Sequence, residues 1–342
     1  MIHEFNRSQE KLLIKPGALM MGAFLVALTF ETTATINDRL SRTSRSTVDS
    51  VYNPRAEKST LYIPGFHANG HVIGEMFHPV FSENGTTHAA VWETSGFRPD
   101  VTMERVVEAR QKDDGVPLHV HVSSMGLHPF ADWMKISEFR DKIGPIESLV
   151  IDSSFNDVSD ISPSTRGAMY MTRMLPPTFT PGKIFEGAMG LDTIDITHHD
   201  SDMYDDQIEI WRKSSAKAPY GAARDQVTYI LKKQKPEQGF GDALRDIGTI
   251  RYVSAMHDQV TNPYTSFEKI NTQLGGRAIH YIDLNRPEIS HAMGPAFRQT
   301  IANLLYYSTE EIDSLNNLVE VSYDASETSA ALPRASQFAL AS

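Results

Sequence analysis

Three polar residues lie at the ends of apolar segments that are predicted to be strands. Ser124 closes PLHVHVSS, Asp258 closes TIRYVSAMHD, and His291 lies in the loop after RAIHYIDL. A serine hydroxyl becomes a nucleophile when a histidine takes its proton, and an acid must hold that histidine in the correct tautomer. The chain contains no cysteine, so serine is the nucleophile to look for. These residue types can together transfer an acyl group through a covalent intermediate.

Short apolar segments alternate with helical stretches through the middle of the chain. The strand-like segments are STLYIPGF, THAAVWETSGF, PLHVHVSS, IESLVIDSSF, TIRYVSAMHD and RAIHYIDL. VTMERVVEARQKDDG and MGLHPFADWMKISEFRDKIG have helical spacing, and a last helix is predicted from about residue 292 to 307. This order indicates βαβ units and a parallel sheet. Because ligands of such a sheet bind beyond the carboxyl ends of its strands, the three polar residues fall where a site is expected.

The domain organisation follows from one long interruption of the strand pattern. About 90 residues, 156–246, contain no clear strand but two helical stretches, near residues 207–215 and 222–233. An interval of this length is too long for an ordinary loop. We therefore expect a helical cap inserted into one sheet domain, whose core is formed by residues 59–155 and 247–310.

The ends of the chain differ from this core. Residues 18–30 read ALMMGAFLVALTF, without a charge, and three basic residues precede them. The apolar stretch lies between the length of a signal-peptide core and the roughly 20 residues of a membrane span. We predict that residues 1–30 are a signal peptide or a membrane anchor, which favours a secreted or anchored protein over a cytoplasmic one. The alternative is a buried element of the fold. Residues 31–58 are predicted to be a linker, and residues 311–342 a polar tail.

The charge of the chain argues against nucleic acid as a partner. Asp and Glu number 43 and Lys and Arg 32, so the formal net charge is −11, whereas a phosphate-binding surface needs basic residues. Six Asp and two His fall within residues 192–206, DTIDITHHDSDMYDD. Such groups could hold a divalent metal, but their spacing matches no metal motif, so a solvated acidic loop is predicted. We predict no metal and no organic cofactor.

The surroundings of Ser124 resemble those of the α/β-hydrolase superfamily, and the resemblance covers roughly residues 59–308. The segment VSSMG matches the nucleophile-elbow pattern G-x-S-x-G at the serine and the last glycine, with Val122 at the first glycine. Asp258 opens DQVTNP, which resembles the family motif D-x-V-x-P, and His291 precedes the last helix, as the family's histidine does. The chain order Ser, Asp, His is also that of the family.

The resemblance implies both a fold and catalytic roles. The fold is an α/β architecture, a mostly parallel sheet flanked by helices, with a helical cap inserted before the acid-bearing strand. Ser124 would be the nucleophile, His291 the general base and Asp258 the orienting acid. The implied protein is a lipase-like serine hydrolase that cleaves a carboxylic ester or a related acyl bond.

A second implied element is the oxyanion hole. The family has a loop of the form His-Gly-bulky residue after its first clear strand, and this chain has Pro64-Gly65-Phe66 there, with proline in place of histidine. By the resemblance, the backbone amides of Phe66 and Met125 would bind the oxyanion. Such donors act on charge that develops in the transition state.

Several other residues stay open as alternatives. Asp152 ends the strand next to the nucleophile strand and could serve as the acid instead of Asp258. Ser123 is the alternative nucleophile if the register differs by one. His67 and His257 could line the pocket, although a role as ordinary polar loop residues is more common.

The substrate and the rival function are also open. The predicted cap carries flexible apolar side chains, which suit an acyl substrate and equally suit packing on the domain. They are Met169, Met171, Met174, Leu175, Phe179, Phe185 and Met189. The rival to a hydrolase is a hydrolase-like fold without catalysis, used as a binding or scaffold module. Val122 and Pro64 favour that alternative.

Overall fold

The computed structural model describes most of the chain between residues 47 and 321. The described residues are 47–66, 77–82, 85–92, 97–113, 115–174, 220–233, 239–256, 258, 260–284, 291–292, 298–315 and 317–321. Several features predicted from the sequence lie outside them, among them the export or anchor segment 1–30, the acidic stretch 192–206, His67 and His257. Among the described residues, no helix has the length and apolar character needed to cross a membrane.

Eight strands form one sheet in the order β1-β3-β2-β4-β5-β6-β7-β8. They are β1 (Thr47–Val51), β2 (Ser59–Ile63), β3 (Thr86–Val91), β4 (Leu118–Ser123), β5 (Ile146–Asp152), β6 (Thr249–Ser254), β7 (Ala278–Asp283) and β8 (Leu318–Glu320). Strands β2 to β7 run parallel, and the edge strands β1 and β8 are antiparallel to their neighbours. The six predicted strands and the predicted α/β class with a mostly parallel sheet are thus confirmed.

Helices cover both faces of the sheet. They are α1 (Pro99–Arg110), α2 (Leu127–Met134), α3 (Ser137–Ile143), α4 (Pro163–Met174), α5 (Tyr220–Lys232), α6 (Phe240–Ala243), α7 (Pro263–Gln273), α8 (Arg298–Tyr306) and α9 (Thr309–Asp313). Because side chains alternate along a strand, Leu61 and Ile63 join the core beneath α1 to α3, whereas Tyr62 joins the core beneath α8. The last helix predicted from the sequence, at about residues 292–307, corresponds to α8, which begins at Arg298.

The structure corrects both predicted ends of the core. Strand β1 lies within the predicted linker 31–58, and α9 and β8 lie within or overlap the predicted tail 311–342. Edge strands are paired on one side only and are partly exposed, so their sequences carry polar residues and resemble loops. Ile312 and Leu318 are nevertheless buried in the core beneath α8, which ties the C-terminal segment to the fold.

The predicted cap, residues 156–246, is described only in part. Helix α5 matches the helical stretch predicted near residues 222–233, and α4 packs against it. The stretch predicted near residues 207–215 lies outside the described residues. The described residues of 156–246 contribute helices and no strand of the sheet. The cap itself stays a prediction.

Burial of His280 is expected to make the stability of the protein fall in acid. The ring is 1% exposed, stacks on Phe267, and its Nε2 lies 3.0 Å from the Ser254 hydroxyl. Burial lowers the pKa of His280 to about 3, whereas an unfolded histidine has a pKa of about 6.5. Below that value the unfolded chain binds a proton that the native state excludes, so stability is lost as the pH falls from about 6.5 towards 3.

The His280→Gln variant tests this dependence. Between about pH 7.5 and pH 5, the wild type is expected to lose about 2 kcal/mol of unfolding free energy through His280, and the variant should be spared that loss. Urea unfolding at both pH values measures the difference. Equal losses in the two proteins would mean that His280 does not couple folding to protonation.

Candidate active site

Ser124 lies on a sharp turn between a strand and a helix. Strand β4 ends at Ser123, a single 3₁₀ turn covers Ser124–Gly126, and α2 follows. Ser124 has a φ angle of +48°, in the left-handed region that residues other than glycine adopt only at a cost. Such strained backbone clusters at functional turns, where the surroundings hold it in place. The turn places the serine side chain at the carboxyl edge of the sheet.

Two glycines allow this turn to pack directly against the loop that follows β2. A Cβ atom added at Gly126 would lie 2.5 Å from the carbonyl oxygen of Ile63, and one at Gly65 would lie 2.9 Å from the Cβ of Ser124. Neither position therefore has room for a side chain. A small residue is therefore required two positions after Ser124, because the backbone of β2 leaves no space for a side chain there.

The two departures from the family pattern are accommodated by the structure. Val122 is fully buried within the core beneath α1 to α3, paired with Ile63 of β2, and so lies in the strand rather than in the turn. The carbonyl oxygen of Pro64 accepts a hydrogen bond from the indole N–H of Trp92, at 3.1 Å. The loop after β2 is thus anchored through its backbone, without a histidine side chain.

A continuous line of hydrogen bonds joins Ser124, His291 and Asp258. The distance from Ser124 Oγ to His291 Nε2 is 2.8 Å, and that from His291 Nδ1 to Asp258 Oδ2 is 2.6 Å. Ser124 and His291 are each 6% exposed, so the bonds are shielded from water. The structure thus brings together the three residues that the sequence analysis selected, although they come from three separate segments of the chain.

The carboxylate of Asp258 is held by the turn that follows it. Its Oδ1 accepts the backbone N–H groups of Val260 and Thr261, at 2.8 and 3.0 Å, and its Oδ2 accepts the Thr261 hydroxyl at 3.1 Å. Oδ2 is also the atom that contacts His291. The orientation of the carboxylate is therefore fixed before any substrate binds. Sequence reasoning missed Thr261, although an Asp followed three residues later by Thr is a pattern typical of such turns.

The loop after β2 and the turn after β4 meet because of the strand order. Strand β2 pairs with both β3 and β4, and the chain leaves β2 towards β3 but leaves β4 towards β5. The carboxyl ends of β2 and β4 are therefore where the strand order reverses, and a ligand crevice is expected at such a point. Phe66 and Ser124 line one cavity there.

The cavity beside Ser124 is small and mostly apolar. Its volume is about 40 Å³, and Ser124 and His291 form part of its wall. The apolar part of the wall includes Phe66, Phe155, Ile161, Met169, Ile230 and Val260. Of the apolar residues predicted in the cap, Met169 thus borders the cavity, whereas Met171 is half exposed. Leu175, Phe179, Phe185 and Met189 lie outside the described residues, as does the side chain of Met174.

The alternative site residues occupy different positions. The Asp152 carboxylate is fully buried with its Oδ2 3.5 Å from His121 Nε2, and it is Asp258 that bonds to His291. The Ser123 hydroxyl donates to the carbonyl oxygen of Ala292 rather than to the histidine ring. Nowhere among the described residues do three His, Asp or Glu side chains come together as ligands of a metal ion would.

Comparisons with known proteins identify the fold. No protein-family model matches the chain, and no curated protein matches it in sequence. A thermophilic esterase from Thermogutta terrifontis superposes with a TM-score of 0.54 at 12% identity, covering 78% of this chain and 95% of that one. MenH from S. aureus gives 0.53 at 11% identity, with 76% and 97% covered. A hydrolase from Oleispira antarctica gives 0.53 at 9% identity, with 79% and 98% covered.

The chain has the α/β-hydrolase fold. The sequence identities of 9 to 12% are too low to carry anything beyond this architecture.

Proposed function

We propose that the protein is a serine hydrolase that cleaves a carboxylic ester or a related acyl bond through Ser124. The observation that carries the proposal is the hydrogen-bonded line from Ser124 Oγ through His291 to Asp258, which borders a small apolar cavity. Geometry of this kind, rather than sequence position, identifies a catalytic triad.

The chemistry follows from the positions of the protons. His291 Nε2 accepts the proton of Ser124 as Oγ bonds to the acyl carbon, and the same nitrogen then gives that proton to the leaving alcohol as the ester bond breaks. Asp258 keeps the other ring proton on Nδ1 and stabilises the imidazolium cation. Water, activated by the same histidine, then attacks the acyl group on Ser124 and releases the acid.

The negative charge that develops on the carbonyl oxygen of the substrate must be stabilised by hydrogen-bond donors. The backbone amides of Phe66 and Met125 flank Ser124 on two chain segments, in the loop after β2 and in the turn after β4. We assign the oxyanion hole to these two amides, each of which is worth about 3 kcal/mol of transition-state stabilisation. The anchoring of Pro64 by Trp92 and the tight contact at Gly65 support the assignment, because preorganised donors need no movement during the reaction.

The apolar wall of the cavity favours a hydrophobic acyl group, and its volume of about 40 Å³ favours a short one. With p-nitrophenyl esters, kcat/KM is therefore expected to fall as the acyl chain lengthens. The Met169→Ala variant should raise kcat/KM for the longer esters about 10-fold relative to the shorter ones, since removing buried methylenes opens space next to the acyl group.

Met134→Ala is the matched control for this change. Like Met169, Met134 is a buried methionine in the core beneath α1 to α3, but it does not border the cavity. The Met134→Ala variant should lower the stability of the protein without altering its preference for acyl-chain length. An identical shift in both variants would attribute the effect to general loosening and not to the cavity.

A fluorophosphonate probe tests the proposed function. Such a probe phosphonylates an activated serine, and mass spectrometry of the digested protein is expected to locate the adduct on the peptide that contains Ser124. A folded protein that takes no label and hydrolyses no ester in the series would contradict the proposal. That result would favour the rival function, a binding module built on this fold.

A further inference from the structure

One hydrogen bond connects the neighbour of the nucleophile to the neighbour of the base. The Ser123 hydroxyl donates to the carbonyl oxygen of Ala292 at a distance of 3.3 Å. Ser123 directly precedes Ser124, and Ala292 directly follows His291. Both Ser123 and Ala292 are buried, and both border the cavity. The bond therefore spans the junction across which the proposed proton transfer takes place.

The bond also joins two turns with unfavourable backbone conformations. Ser124 has a φ angle of +48° and Ala292 one of +45°, and neither residue is a glycine. Backbone in this region persists only where surrounding contacts hold it. The hydrogen bond between Ser123 and Ala292 fixes the two turns relative to each other.

We propose that Ser123 is a positioning residue whose hydrogen bond to Ala292 holds His291 Nε2 in line with Ser124 Oγ. This inference rests on the proposed function for its effect on turnover. It gives Ser123 a role other than that of the alternative nucleophile.

Kinetics of the Ser123→Ala variant test the proposal. The change removes the hydroxyl that donates to Ala292, and it is expected to lower kcat about 10-fold while KM stays nearly constant, because a misaligned base affects the chemical step. Ser123→Thr keeps the hydroxyl and should regain most of the lost kcat.

Ser148→Ala is the matched control. Ser148 is another buried strand serine whose hydroxyl donates to a backbone carbonyl, that of Leu305 at 2.8 Å, but it lies near the amino end of β5. Both variants should lose similar stability, and only Ser123→Ala should lose kcat. If Ser123→Ala keeps the kcat of Ser148→Ala, the positioning role is wrong.

A measurement without turnover separates this inference from the proposed function. The Nδ1 proton of His291, bonded to Asp258, should give a low-field proton resonance that is absent in His291→Gln. We expect this resonance to shift or broaden in Ser123→Ala and to stay unchanged in Ser148→Ala. An unaltered resonance in Ser123→Ala would overturn the positioning role even in an active enzyme. If the wild type takes no fluorophosphonate label but the resonance still shifts in Ser123→Ala, only the proposed function is overturned.

Discussion

Replacing Ser124 with alanine is expected to lower kcat for ester hydrolysis by about 10⁵-fold, the largest effect of any single change in this protein. The change removes the atom that attacks the acyl carbon and leaves His291 without its partner at 2.8 Å. The remaining rate would come from substrate binding and from the donors of the oxyanion hole acting on a water molecule. Steady-state hydrolysis of a short-chain p-nitrophenyl ester measures the loss, and fluorophosphonate labelling should disappear with it.

The predicted loss of kcat must be distinguished from a loss of folded protein. Ser124→Ala removes a single hydroxyl group from a buried turn. The midpoint of urea unfolding is therefore expected to stay close to that of the wild type. Ser148→Ala, which deletes a buried serine hydroxyl far from the cavity, should keep its kcat and its label. Hydrolysis by Ser124→Ala at more than a few per cent of the wild-type rate would rule out Ser124 as the nucleophile.

The Asp258→Asn variant is expected to lower kcat by about 10⁴-fold, and the contacts of the carboxylate explain why. Oδ1 accepts two backbone N–H groups, from Val260 and Thr261, so the amide oxygen of an asparagine must take that position. Its NH₂ group then replaces Oδ2, 2.6 Å from His291 Nδ1. Two donors cannot face each other, so the ring proton moves to Nε2, and a protonated Nε2 cannot accept the proton of Ser124.

Asp152→Asn is the comparison for this prediction, because Asp152 also ends a strand beside the nucleophile. Both variants are isosteric, and each replaces a buried carboxyl group with an amide. The ratio of their kcat values under identical conditions is the measurement. A large loss in Asp152→Asn together with a small loss in Asp258→Asn would transfer the role of the acid to Asp152.

Much of this architecture could be predicted because the parallel strands are buried on both faces. Every residue of β2, β3 and β4 is buried, so their sequences are short segments with few charges that the helical stretches separate clearly. Polar residues that follow such segments lie at one edge of the sheet. That position made Ser124, Asp258 and His291 candidates, and the resemblance to the α/β-hydrolase pattern favoured them over Ser123 and Asp152.

The remaining features of the fold and the site depend on contacts between segments that are far apart in the chain, and the sequence does not show these contacts. Strands β1 and β8 lie at the edges of the sheet, where partly exposed polar residues resemble loops. The bond from Ser123 to Ala292 joins residues 169 positions apart in the chain, and no local pattern encodes such a contact.

The two glycine contacts have a consequence for how this site can diverge. Gly65 and Gly126 hold the proposed nucleophile turn and oxyanion loop against each other backbone to backbone, so a mutation at either position disturbs both at once. The apolar wall opposite them includes Phe155, Met169 and Ile230, whose side chains can change in size without moving that backbone. Laboratory evolution towards other acyl groups should therefore accumulate substitutions on this wall and leave the two glycines invariant.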